Sequence, residues 1–97
     1  MSYLGAKASP LPSAVYRKEG TAWTIMRGDP STMVVGLAQN KGYRGNTVAG
    51  GLRFLVAYWG RQGYLIRVET DEGEDTEAEI FIRALLDLKI LGAMPSA

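Results

Sequence analysis

The chain has 97 residues, of which 46% are hydrophobic and 22% charged, and its formal net charge is +1. This length allows one hydrophobic core and one domain. Neither His nor Cys occurs, which excludes disulfides, thiolate and imidazole metal sites, cysteine nucleophiles and the commonest general base near neutral pH. We therefore expect a protein that is not an enzyme and that holds no metal and no cofactor.

The charges are distributed unevenly along the chain. Residues 1–67 contain nine basic and two acidic residues, whereas residues 68–97 contain two basic and eight acidic residues. Such asymmetry indicates a charged partner, although two oppositely charged regions can also face each other within one fold. The chain shows no apolar stretch long enough to span a bilayer and no recognisable signal peptide, so we expect a cytoplasmic protein with no membrane partner.

The first third of the chain predicts an arm and a meander of strands. Residues 1–13, which include Pro10 and Pro12, have the pattern of an extended N-terminal arm, and residues 14–97 form the single domain. Residues 15–18 and 21–26 are rich in β-branched and aromatic residues and predict a hairpin. After a turn at residues 28–31, residues 32–38 predict a third strand with a bulge at Gly36.

Residues 47–60 follow a loop and fit two interpretations. A helix is indicated by a capping residue, Asn46 or Thr47, and by apolar residues at helical spacing, which are Val48, Leu52, Leu55, Val56 and Trp59. A strand is indicated by the alternation of residues 52, 54, 56 and 58 and by Gly50-Gly51, which is costly inside a helix. The helix is favoured, and it would point Leu55 and Trp59 inward.

The last third predicts a strand and a long helix. Residues 64–70 alternate as a strand does, and Thr76 to Glu79 matches a capping box that starts a helix continuing to about Leu91, with Gly92 as its left-handed cap. The apolar arc of this helix is wider than one sheet face can cover, so the helix is buried on two sides or faces a second chain. The residues expected at such an oligomer interface are Phe81, Ile82, Leu86 and Ile90.

These elements predict an α+β fold. Its small antiparallel sheet would consist of the three-strand meander plus one further strand, with two helices packed on one face.

The candidate binding residues are charged or aromatic. Lys41, Tyr43 and Arg44 precede a helix N-terminus, where free amides and the helix dipole attract anions such as phosphate. Arg53 and Arg61 alternate with aromatic residues, a composition found in single-strand nucleic-acid binding and also in ordinary cores. Gly45 and Gly50 have the spacing of a Walker A loop, but Gly51 and Leu52 occupy the positions that require Lys and Ser or Thr. An EF-hand is excluded in the same way, because Thr76 and Ile82 occupy the positions of its Gly and Glu. A flexible, solubilising connection is the simpler interpretation of the 41–47 loop.

The acidic run between residues 69 and 79 has two interpretations as well. Asp71, Glu72 and Glu74 would bind a basic protein, or they would only solvate a turn and favour the first turn of the following helix. From these features we expect a small protein-binding adaptor or inhibitor, of the kind that small mobile or viral elements encode. It would act through its charged surface and its last helix, with a homodimer as one form of association. The alternative is a small nucleic-acid-binding module.

Overall fold

The computed structural model describes residues 2–4, 14–19 and 22–93. Its helices are α1 (Pro30–Asn40), α2 (Val48–Gly60) and α3 (Glu74–Asp87). Its strands are short, namely β1 (Ser2–Leu4), β2 (Ala14–Glu19), β3 (Ala22–Arg27), β4 (Leu65–Arg67) and β5 (Gly92–Ala93).

The hydrophobic core lies among the three helices. α3 packs against α1, α2 and β4, so it is covered by the protein itself on more than one side. No polar or charged side chain is buried within the described part of the chain. The largest fully buried side chains come from all three helices and are Trp59, Phe81, Met33, Leu37, Leu55, Ile82, Leu85 and Val34.

The predicted third strand, residues 32–38, is wrong, because this segment belongs to α1. Asp29 is the N-cap and accepts a hydrogen bond from the Thr32 backbone N–H at 2.8 Å, and Pro30 occupies the first helical turn. The buried residues are 33, 34, 37 and 38, which recur with helical rather than alternating spacing. Two adjacent valines favour a strand locally and Gly36 disfavours a helix, but burial of this face outweighs those propensities.

The predicted helix over residues 47–60 is confirmed as α2. The Thr47 side chain caps it by accepting the Gly50 N–H at 3.1 Å. Leu55 and Trp59 are buried, with 0% and 1% of their surface exposed, whereas Arg53 is exposed. The inward and outward faces of α2 therefore follow its sequence periodicity.

The predicted ends of the last helix are wrong at both termini. The N-cap is Gly73, three residues before the predicted capping box at Thr76, and no side chain caps the helix. Three carboxylates in the first turn, those of Glu74, Asp75 and Glu77, interact favourably with the helix dipole there. The helix ends at Asp87 rather than near Leu91, because the chain turns into the left-handed conformation at Lys89 (φ 61°).

All three helices end in the same hydrogen-bond pattern. At the end of α3 the Ile90 N–H donates to the Leu85 carbonyl and the Lys89 N–H donates to the Leu86 carbonyl, which is the Schellman arrangement. The corresponding left-handed residues after α1 and α2 are Gly42 and Gly63. Glycine adopts this conformation without strain, whereas Lys89 does not.

The predicted sheet is also wrong. β2 pairs antiparallel with β3 on one edge and with β5 on the other. Among the described residues, β3 is not followed by a third strand of the meander. β4 pairs instead with β1, in parallel, with Ile66 opposite Tyr3. Once residues 30–40 are helical, the chain leaves the first sheet after β3. The fold is therefore organised by three helices with short strands, rather than by one four-stranded sheet with two helices.

The N-terminal arm lies only partly within the described residues. Its residues 2–4 form β1 against β4, while residues 5–13 lie outside them. The predicted hairpin turn at Glu19-Gly20 is misplaced, because Glu19 still belongs to β2 and pairs with Ala22, and residues 20 and 21 lie outside the described residues.

Candidate protein-binding groove

An open groove of about 500 Å³ runs along the outer face of α2. Its walls are built from α2, from the segment after β4 and from the first turn of α3. The lining is mainly apolar and comprises Ala49, Leu52, Val56, Ala57 and Val68, with Arg53 and Glu77 as the charged members. Grooves of this size and chemistry are where proteins bind apolar side chains of a ligand.

The sequence of α2 explains why this face is apolar. Arg53 is the single charged residue among the 13 residues of the helix. Leu52 and Leu55 face the core, but Val56 is only half-buried and Ala57 is exposed. A helix that is apolar on nearly all sides is usually covered on all sides. On the outer face of α2, Val56 is only partly covered and Ala57 is exposed, although Val68 and Glu77 lie beside them in the groove.

The two charged groups of the groove have opposite sign. Arg53 is exposed and Glu77 is half-buried. Within the part of the chain that the structure describes, neither side chain forms an ion pair or a hydrogen bond. A groove that pairs apolar walls with one cation and one anion selects a ligand by charge as well as by shape.

The loop between α1 and α2 places two of the predicted binding residues against α2. The Tyr43 ring lies 5.8 Å from the Phe54 ring, between centroids, and its hydroxyl lies 3.1 Å from Thr47 Oγ1. The Lys41 Nζ lies 5.4 Å from the centroid of the Tyr58 ring. These contacts hold the loop on the helix. They support a role for Tyr43 in packing this loop better than a role in binding a ligand.

The other predicted basic residues do not join this cluster. Arg44 is exposed in the loop, Arg61 is exposed at the C-cap of α2, and Arg53 lines the groove. Trp59 is buried, and the half-buried Tyr43 and Tyr58 rings pack against Phe54, against Trp59 and beside Lys41. For these rings, the open stacking face that single-strand binding requires is therefore reduced.

The predicted acidic residues lie at the end of the molecule where α1 and α3 begin. Asp71, Glu72 and Glu74 are exposed. The Ser31 hydroxyl donates to the Asp75 carboxylate and joins the two helix starts. The Asp29 carboxylate, at the start of α1, accepts hydrogen bonds from Thr32. The backbone N–H of Thr32 contributes most and its side chain less, and together they lower the pKa of Asp29 below the ordinary value of 3.8.

The residues predicted for an oligomer interface lie mostly inside the protein. Phe81 and Ile82 have 0% of their surface exposed and Ile90 has 8%. Leu86 is half-buried and packs against the same core. The wide apolar arc of α3 is therefore explained by its burial on two sides, which was one of the two interpretations of the sequence.

Sequence reasoning did not identify Val68 and Glu77 as parts of a site. Val56 was one of the apolar residues that predicted the helix, and the structure places it, half-buried, in the groove. The signal that pointed to this surface was the near absence of charge from α2, which contrasts with the charge-rich segments on both sides of it. The position of Glu77 beside that helix depends on how α3 packs and is not visible in the sequence.

Other site types find no support in the described residues. They hold no cluster of three or more potential metal ligands. The longest of their helices has 14 residues, and none of them combines the length and apolar character needed to cross a membrane. Comparisons with protein-family models, with curated proteins and with solved structures found no significant match.

Proposed function

We propose that this protein is a non-catalytic protein-binding module, an adaptor or inhibitor, whose contact surface is the α2 groove. The observation that carries the proposal is the groove itself, an apolar depression of about 500 Å³ with Arg53 and Glu77 unpaired within the described residues. Protein interfaces commonly combine an apolar centre with a few charged groups that set specificity.

The chemistry of the chain favours binding over catalysis. It has neither His nor Cys, which are the usual general base and the strongest nucleophile. The charged groups of the groove are one cation and one carboxylate, and a protein partner can form an ion pair with each of them. Nucleic-acid binding is supported less well, because the aromatic rings near the basic loop are packed and because Glu77 places a negative charge in the groove.

A photocrosslinking amino acid at Ala57 tests the proposal. Ala57 is exposed and lines the groove, and Gln62, exposed just beyond α2, gives a matched control position. We expect discrete protein adducts from position 57 in cells that express the protein natively. Excess unlabelled parent protein should suppress these adducts, whereas excess V56E protein should not, because that variant places a charge on the apolar wall.

Three outcomes would contradict the proposal. The first is an adduct pattern at position 57 that equals the pattern at position 62. The second is equal suppression by parent and V56E protein, provided that circular dichroism shows V56E to be folded. The third is an adduct that disappears after nuclease treatment, which would favour the nucleic-acid alternative.

A further inference from the structure

We propose that the α2 groove is occupied by a second copy of this chain, so that the protein is a two-fold homodimer in which Arg53 of each copy pairs with Glu77 of the other. This inference rests on the proposed function, since it names the partner of the same groove. It moves the dimer interface from the last helix, where sequence analysis placed it, to α2.

The shape of α2 fits an identical partner. Ala49, Arg53 and Ala57 follow one another at intervals of four residues along the face of α2 that lines the groove. The small side chains on either side of Arg53 allow another helix to approach closely. In a two-fold dimer the two α2 faces meet, and the half-buried Val56 and Val68 of both copies become covered.

The charges of the groove fit an identical partner in the same way. A surface that carries one cation and one anion is complementary to its own copy when the two are related by a two-fold axis, because each contact then occurs twice with its members exchanged. Arg53 and Glu77 have no ion-pair partner within the described residues. The dimer supplies both of them with a partner in one step and removes the apolar walls from water.

The last helix offers less for such an interface. Phe81 and Ile82 are fully buried within the chain, so they have no surface to give to a second copy. Leu86 is half-buried against the same core. The outer face of α2, in contrast, combines exposed Ala57 with half-buried Val56 and with the two unpaired charges.

Charge reversal tests the reciprocal pairing. The variants are R53E and E77K, each studied alone and in an equimolar mixture, with sedimentation equilibrium over a wide range of concentration as the measurement. In the mixed dimer both contacts are Glu with Lys or Arg with Glu, whereas each single variant brings like charges together twice. E79K is the matched control for E77K, because Glu79 is an exposed residue of the same helix outside the groove.

We expect the parent protein and E79K to dimerise with similar affinity. Each single variant should dimerise roughly 10- to 100-fold more weakly, since two attractive pairs become two repulsive ones. The equimolar mixture should recover most of the parent affinity as a heterodimer. That recovery also shows that both variants fold, because an unfolded chain could not restore the interface.

Several results would overturn the inference. A parent protein that stays monomeric at the highest concentration excludes the dimer. A dimer that R53E and E77K leave unchanged uses another surface, and single variants that weaken dimerisation but do not complement each other exclude the reciprocal pair. The proposed function is judged separately by crosslinking at Ala57, since an adduct larger than the chain by the mass of a different protein retains the binding function while removing the homodimer.

Discussion

Replacing Gly50 with Ala tests whether the Tyr43 side chain holds the α1–α2 loop on α2. A Cβ atom at position 50 would lie closer to the Tyr43 hydroxyl than real Cβ atoms come to a neighbour, and it would lie 2.8 Å from Thr47 Oγ1. Tyr43 must therefore leave its place in the G50A variant. The substitution would otherwise stabilise the helix, because Ala has the higher helix propensity.

The expected size of the effect follows from the contacts that Tyr43 loses. Its hydrogen bond with Thr47 contributes about 0.5–1.5 kcal/mol, and its ring contact with Phe54 contributes a similar amount, about 0.5–1.5 kcal/mol. Exposing the half-buried ring costs about 1 kcal/mol more. The gain in helix propensity offsets about 1 kcal/mol of this loss. We expect G50A to lower the free energy of unfolding by about 1–3 kcal/mol.

Two further variants isolate the cause. Nothing lies within 4 Å of a Cβ atom built at Gly60, the last residue of α2, so G60A should be neutral or stabilising by up to about 1 kcal/mol. In a Y43A background, G50A should be close to neutral, because the Tyr43 obstacle is gone while Thr47 Oγ1 still has to move away from the new Cβ atom, which offsets the gain in helix propensity. The difference between the two backgrounds gives a coupling energy of roughly 1–3 kcal/mol.

Urea unfolding followed by the circular dichroism of the helices measures the free energies of unfolding of the parent protein, G50A, G60A, Y43A and the double variant. A corresponding decrease in Tm of about 4–8 °C per kcal/mol is expected for a domain of this size. A parent-background G50A variant as stable as G60A would refute the packing of Tyr43 described above. Equal effects of G50A with and without Tyr43 would refute it as well.

Two further predictions concern helix ends. The Asp29 carboxylate has a pKa lowered by the Thr32 donors, so its ionised form stabilises the fold above the ordinary pKa of 3.8, and this stabilisation is lost as the pH falls through the lower folded-state pKa. Thermal melts should therefore show the D29N variant less stable than the parent at neutral pH and equal to it in strong acid, and a difference that persists in acid would contradict the cap. Lys89 adopts the left-handed conformation (φ 61°), so K89G should stabilise the protein by about 0.5–1 kcal/mol in urea unfolding. K89A, which keeps the strain, should not, and a gain for K89A equal to that for K89G would indicate a side-chain effect instead.

The periodicity of residues 47–60 was sufficient to predict α2 and its buried side. Leu55 and Trp59 recur at helical spacing. The capping hydrogen bond joins the Thr47 side chain to the backbone N–H of Gly50, only three residues further along the chain. Such features depend on neighbours in sequence. They are therefore visible before any tertiary contact is known.

The segment at residues 30–40 was assigned wrongly because local and long-range preferences conflict there. Two adjacent valines favour an extended chain, and Gly36 disfavours a helix. Asp29 and Pro30 are equally typical of a turn and of a helix start. Burial of Met33 and Leu37 against the other two helices decides between these alternatives, and that contact is made with residues far away in the chain.

The sequence by itself determined the absence of His and Cys side chains, the uneven distribution of charge and the helical character of α2. Only the tertiary structure decided which strands pair, how α3 is buried and that Val68 and Glu77 line a groove with Arg53. The physical reason is the range of the interactions. Capping and periodic burial act over one or two helical turns. Strand pairing and the packing of α2 against α3 bring together residues that are distant in sequence, and the packing of the whole core determines which of them meet.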